Sequence, residues 1–219
     1  MQSPRPPITV VKLGGSHAAS PHLRQWLGAI AAEAGAIVVV PGGGPFADAV
    51  RRTQAAMGFD NVAAHEMAMM AMAQFGRALQ SLNPALRLAD SLAAIRRALR
   101  EGKVPVWSPE RMARAAGLPE TWDLTSDSLA AWLSAKLAAD RLVLVKHGGF
   151  SGPRADVLDL VRGGVVDPLF PHFIKDREFR VVLAASADAA RLTDGLRQGL
   201  FPEIVPSEEA IGDRAPAAE

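Results

Sequence analysis

Apolar residues along the chain gather in short, unbroken runs, and between them lie stretches with helical spacing. Residues 8–13 (ITVVKL), 36–40 (AIVVV) and 141–146 (RLVLVK) are compact and rich in β-branched side chains. Their interiors lack a polar residue at every second position. That pattern predicts strands of a parallel sheet covered on both faces. Residues 103–107 (KVPVW) and 180–185 (RVVLAA) predict two more strands. Ser20-Pro21 is a capping pair for a helix running to about Gly35, which suits the position after a helix end. Further helices are expected over 46–57 and 61–82. Asp90 is expected to cap the segment SLAAIRRALREG, with Gly102 as its stop. Ser108-Pro109 opens a short helix, Thr125 is expected to cap SDSLAAWLSAKLAA, and 186–200 closes the series. Alternation of this kind predicts an α/β protein, a three-layer α/β/α sandwich with a mainly parallel central sheet. Residues 8–205 contain no linker or repeat and read as one domain, with flexible ends at 1–7 and 206–219.

Composition narrows the possible functions. A chain of 219 residues buries roughly 70–75% of its unfolded surface. With 49% hydrophobic and 21% charged residues it is globular rather than disordered. The formal net charge of +1 excludes an overall basic field, so no nucleic-acid partner is expected. The absence of cysteine excludes disulfides, thiolate zinc sites, iron–sulfur clusters and cysteine nucleophiles. No apolar run approaches the roughly 20 residues of a membrane span, and MQSPRPP lacks the apolar core of a signal peptide. A cytoplasmic enzyme without a membrane partner is therefore expected. Only five residues are lysine (Lys12, Lys103, Lys136, Lys146, Lys175) against 19 arginines. A lysine at a structurally special position therefore stands out.

Three glycine-rich breaks follow strands: Gly14-Gly15-Ser16, Gly42-Gly43-Gly44 and Gly148-Gly149. Ligands of open parallel sheets sit at the carboxyl ends of strands, where glycine lets backbone N–H groups approach phosphate oxygens. Each break alone is an ordinary turn; three together favour phosphate binding. The usual phosphate signatures are missing, since no G-x-x-x-x-G-K-[ST] or strand-linked G-x-G-x-x-G occurs, which disfavours P-loop and dinucleotide-binding proteins. Two of the five lysines, Lys12 and Lys146, end strands beside glycine breaks. There an ammonium can neutralise charge on a transferring phosphoryl group. The plain alternative is a surface lysine.

Asp127 stands near a helix start, where it serves the helix dipole or orients lysine ammoniums. Asp123 and Ser126 are candidate supports. His65 is a structural histidine or a contact for an acceptor phosphate, and Glu66, Asp60 or Gln74 are candidates for a polar group on the acceptor. The neighbouring methionines read as helix core. The scattered histidines lack zinc spacing, so no protein metal site is expected, and no G-x-S-x-G marks a serine hydrolase. Few aromatic residues near the acceptor-side motifs argue against a stacked base.

The ordered set VVKLGGS, VVVPGGGP and LTSDSLAAWLSAKLAADRLVLVK resembles the amino acid kinase superfamily. That resemblance implies its carbamate kinase-like fold, with ATP and Mg2+ as cofactors. ATP lies towards the C-terminal half and the acceptor towards the N-terminal half. It also implies that Lys12 stabilises the transferred phosphoryl group and that Gly14, Gly15 and Ser16 hold ATP phosphates. Gly43 and Gly44 contact the acceptor, and Asp127 organises the lysines. Gly148 and Gly149 fall on the nucleotide side; Gly42, His65, Glu66 and Ser126 fall on the acceptor side. The segments TSDSLAAWLSAKL and AAHEMAMMAMAQFGRAL look most like the branch acting on (aminomethyl)furanylmethyl phosphate in methanofuran and methylofuran synthesis. The implied reaction moves the γ-phosphate of ATP onto a small phosphomonoester to give a diphosphate. Other acceptors within the superfamily are UMP and isopentenyl phosphate, and a binding module without turnover is the alternative of another class. KHGG at 146–149 replaces the DVDG or KVDG of many members, which leaves Lys146, His172 and Lys175 as candidates for the second cation. Members are usually dimers or hexamers, so a homo-oligomer is implied.

Overall fold

The protein is described by a computed structural model, which covers residues 7–150 and 152–207. The expected flexible ends therefore lie outside the described residues except at positions 7, 206 and 207, of which Ser207 is buried. In chain order the elements begin with β1 (Thr9–Leu13), α1 (Leu23–Ala32), β2 (Ile37–Pro41), α2 (Gly44–Met57) and α3 (Asn61–Leu82). They continue through β3 (Leu86–Ala89), α4 (Leu92–Arg100), β4 (Val104–Trp107), α5 (Glu110–Ala116), α6 (Ser126–Leu137) and β5 (Arg141–Lys146). The last are β6 (Arg154–Asp156), α7 (Val157–Arg162), α8 (Phe170–Ile174), β7 (Arg180–Ala185), α9 (Leu192–Gln198) and β8 (Glu203–Val205).

The strands form one eight-stranded sheet in the order β3-β4-β2-β1-β5-β7-β8-β6. All neighbours pair in parallel except β7 and β8. The unbroken apolar runs occupy its centre and feed two cores, one on each face. Val10, Val38 and Leu144 belong to one core; Val11, Val39 and Val143 belong to the other. Helix α6 packs into the first through Leu129, Leu133 and Leu137, and α1 into the second through Trp26, Leu27 and Ile30. This is the expected three-layer α/β/α arrangement. Among the described residues no helix is long and apolar enough to cross a membrane.

Several local expectations need correction. Helix α1 starts at Leu23, not at Ser20-Pro21, because Ser20 Oγ accepts from His22 N (3.2 Å) and forms a turn ahead of the helix. It ends at Ala32. Gly35, at φ +90°, donates to the Lys103 carbonyl as part of the turn into β2. The cap of α4 is Ser91, whose hydroxyl accepts from Ala94 N, and not Asp90. The last helical segment divides into a 3-10 turn at Ser186–Arg191 and α9. Strands β3, β6 and β8 were not expected: with only three or four residues each, they are too short to give a periodic signal.

Candidate functional site

Strands β1 and β5 lie side by side, with Lys12 in register with Leu144, so Lys146 ends its strand two residues further on. Both lysines thus reach the carboxyl edge of the sheet. Neither is a surface lysine, since their side chains are 7% and 14% exposed. Between them stands Asp127, in the first turn of α6. Its Oδ1 lies 2.9 Å from Lys12 Nζ, and Lys146 Nζ donates to its Oδ2 at 2.7 Å. Burial alone would raise the Asp127 carboxyl, but Lys12 and Lys146 outweigh it and hold it below the ordinary carboxylate range. Burial, and secondly Lys12, push Lys146 down to about 8 against the pull of Asp127. The structure therefore brings Lys146 to this carboxylate. His172 and Lys175 stay exposed at α8, with the His172 ring edge-on to Phe173.

Asp127 is aimed by a second carboxylate. Buried Asp167 accepts from Thr125 N (3.1 Å), Thr125 Oγ1 (2.8 Å) and Ser128 N (3.0 Å), and also from the Ser128 hydroxyl. It satisfies free backbone donors of the α6 N-terminus and fixes that turn. Thr125 is the N-cap, as expected, but its hydroxyl donates to Asp167 instead of accepting from its own helix.

The first two glycine breaks lock together at the backbone. A Cβ on Gly15 would lie 2.0 Å from Gly44 N, and one on Gly42 would lie 2.4 Å from Gly15 N. Only glycine permits that approach. At Gly14 a Cβ would meet Lys12 Nζ and Ser16 Oγ at 3.4 Å and His17 Nδ1 at 3.5 Å. The glycine thus leaves open a small cradle ringed by polar atoms, which fits an oxyanion of a nucleotide phosphate. Gly148 and Gly149 lie on the exposed loop after β5, touch nothing with a notional Cβ, and are not drawn into this cluster.

Beside the cradle lies a cavity of about 410 Å³. Gly15, Ser16, Gly42, Gly43, Gly44, His65 and Ser126 all line it, so most of the expected acceptor-side residues meet there. Glu66 does not: it pairs with Arg114 at 2.8 Å in a separate small recess. Asp60 is spent as the N-cap of α3, accepting from Ala63 N. Burial lowers the His65 pKa, opposed by Glu120, a hydrogen bond to the Thr121 backbone and Glu66. Apolar wall comes from Met69, Met72 and Leu129.

Sequence reasoning missed Trp122, which also lines the cavity. It donates from Nε1 to Gln54 Oε1 at 2.7 Å and lies under the Arg51 guanidinium, 4.2 Å from the ring centroid. An isolated tryptophan in a polar loop was the available signal. His17, directly after the first glycine break, was also passed over. Asp167 carries no local cue. No group of three or more His, Cys, Asp or Glu side chains suited to a metal gathers among the described residues.

Buried Lys12 and largely buried Lys146 thus share one carboxylate at the strand ends of an α/β sheet, beside glycine loops and a cavity. A model of the amino acid kinase family matches residues 7–148, and the chain belongs to that family. It is 24% identical over 212 residues to the [5-(aminomethyl)furan-3-yl]methyl phosphate kinase of Methanocaldococcus jannaschii, covering 90% of this chain and 97% of that protein. Its fold resembles uridylate kinase from Archaeoglobus fulgidus, at TM-score 0.68 and 17% identity, over 91% of this chain and 100% of the other. UMP kinase from Ureaplasma parvum is similar at TM-score 0.68 and 15% identity, over 93% and 100%. The chain is a kinase of this family.

Proposed function

We propose that the protein transfers the γ-phosphoryl group of ATP to a small phosphomonoester, with (aminomethyl)furanylmethyl phosphate as the first candidate. The observation that carries this reading is the buried Lys12–Asp127–Lys146 cluster beside the glycine-lined cavity. An oxygen of the acceptor phosphate forms a bond to the γ-phosphorus, the bond to the bridging oxygen breaks, and ADP leaves. The acceptor oxygen is already anionic, so no strong base is required. Lys12 and Lys146 would spread over the developing charge while Asp127 holds them in place. Backbone N–H groups of Gly14, Gly15 and Ser16 would hold nucleotide phosphates, and Gly42–Gly44, His65 and Ser126 would hold the acceptor. Mg2+ would be carried mostly by phosphate oxygens, as that ion prefers.

Family membership and a complete Lys–Asp–Lys cluster favour turnover over a binding-only module. UMP stays as a second acceptor reading, supported by the fold likeness to UMP kinases and by Trp122 in the cavity wall. A cytoplasmic homo-oligomer belongs to the same proposal. ADP release measured with a panel of phosphomonoesters tests it. The aminomethylfuran phosphate is expected to give the highest kcat/KM; preference for UMP transfers the assignment, and no release with any acceptor overturns it.

A further inference from the structure

His17 lies in the 3-10 turn at Gly15–Ala19 and is fully buried. Its Nδ1 stands 3.2 Å from the Gly14 carbonyl oxygen, while its Nε2 is buried without a hydrogen-bond partner. An unpaired buried nitrogen is costly, and an apolar side chain would fill the same space without that cost. On the His17 ring lies exposed His147, the residue after Lys146, with centroids 4.3 Å apart and planes at 15°. The stack ties the loop after β1 to the loop after β5, across the two strand ends that carry Lys12 and Lys146.

Charge divides the roles of the two rings. Burial above all, then His147, Lys12 and Lys146, push His17 down to about 4, so it offers a neutral aromatic face at neutral pH. A neutral ring lets a second imidazole stack on it without the repulsion that two imidazoliums would meet. Other charged groups at this edge are Lys12, Lys146 and Asp127 and, beyond β7, Asp188 and Arg191. Asp127 is taken up by both lysines. Asp188 accepts from Ala185 N at 2.8 Å and pairs with Arg191 at 3.3 Å. Neither carboxylate is left free at this edge, which is therefore suited to an anion.

We propose that His147 is a further ligand of the transferred phosphoryl group, donating from its ring to a phosphate oxygen, and that His17 is the residue that positions it. This rests on the kinase reading. It adds a residue from the KHGG segment, whose glycines have open space where a side chain would stand.

The test follows kcat/KM for ATP from pH 5.5 to 9, with calorimetric binding of the non-hydrolysable β,γ-imido analogue of ATP at pH 6. The wild-type profile is expected to fall as pH rises through about 8, where Lys146 loses its proton. His147→Gln is expected to lose roughly tenfold at pH 6 in both measurements, the size of one charge-assisted hydrogen bond. His17→Ala should do the same, and the double variant should be no worse than either single one. His17→Phe keeps a ring beneath His147 and should recover most of what His17→Ala loses. Unchanged analogue affinity and unchanged kcat/KM in His147→Gln overturn the proposal. Additive losses in the double variant overturn the positioning role. A wild-type protein that binds the analogue but transfers to no acceptor overturns the kinase reading, while analogue affinity still decides the role of His147.

Discussion

Lys146 Nζ meets Asp127 Oδ2 at 2.7 Å, and through that contact the last residue of β5 is joined to the first turn of α6. The ammonium is nonetheless pushed down to about 8, by burial first and Lys12 second. Raising the pH through that value removes a positive charge from the transfer site. Activity is therefore expected to fall above pH 8, read as the alkaline limb of kcat/KM. Lys146→Arg stays charged throughout, so a slower enzyme without that limb is expected. A limb that persists unaltered in Lys146→Arg contradicts the assignment.

Lys12 and Asp127 should separate activity from stability. Lys12→Ala leaves Asp127 still paired with Lys146, whereas Asp127→Asn leaves two buried ammoniums facing each other. Both are expected to lower kcat by about 10²–10³, the usual loss for a preorganised charge partner. Asp127→Asn should also cost about 3–5 kcal/mol of stability, and Lys12→Ala less. Rates of ADP release and urea unfolding midpoints check the two halves. Near-normal kcat in Lys12→Ala would remove the basis of the proposed chemistry.

The glycines of the loops should differ sharply from one another. A methyl on Gly15 collides with the Gly44 backbone at 2.0 Å, so Gly15→Ala must push the two loops apart. A cost of about 1–3 kcal/mol and a large loss of transfer are expected. Gly148 has open space but a φ of +104°, so Gly148→Ala costs only backbone strain, about 1 kcal/mol. Thermal unfolding and ADP release of the two variants provide the comparison; equal losses would contradict this division.

The central sheet was legible in the sequence because its strands are buried on both faces and so appear as unbroken apolar runs. Lys12, Asp127 and Lys146 were legible as polar residues at strand and helix ends beside glycine breaks. Strands β3, β6 and β8 were not, since three or four residues without an unbroken apolar run carry no period. Trp122 and Asp167 act across the fold: Trp122 bonds to Gln54 on α2, and Asp167 reaches back to Thr125 and Ser128. Their partners lie 68 residues away and about 40 residues away, respectively, beyond any local pattern. His17 lay in plain view after Gly14-Gly15-Ser16. Its meaning depends on His147, which only the pairing of β1 with β5 brings near.

His17 also predicts an acid-sensitive fold. Its pKa drops from 6.5 to about 4 on folding, chiefly through burial. Between those values the unfolded chain binds the extra proton, so stability rises with pH across the window and is lost on acidification through it. A depression of this size corresponds to about 3 kcal/mol once pH has fallen to 4. Asp127 acts in the same direction but in a separate window, because its carboxyl is held below the ordinary value of 3.8. His65, also lowered by burial, shares the range between pH 7 and pH 4.5, so the comparison of urea unfolding with a His17 variant isolates His17. Wild type should lose stability over that range, and His17→Phe, which has no proton to gain, should lose about 2–3 kcal/mol less. Parallel loss in both proteins would mean that His17 takes up its proton without leaving the fold, and that its ring is not the fixed neutral platform beneath His147.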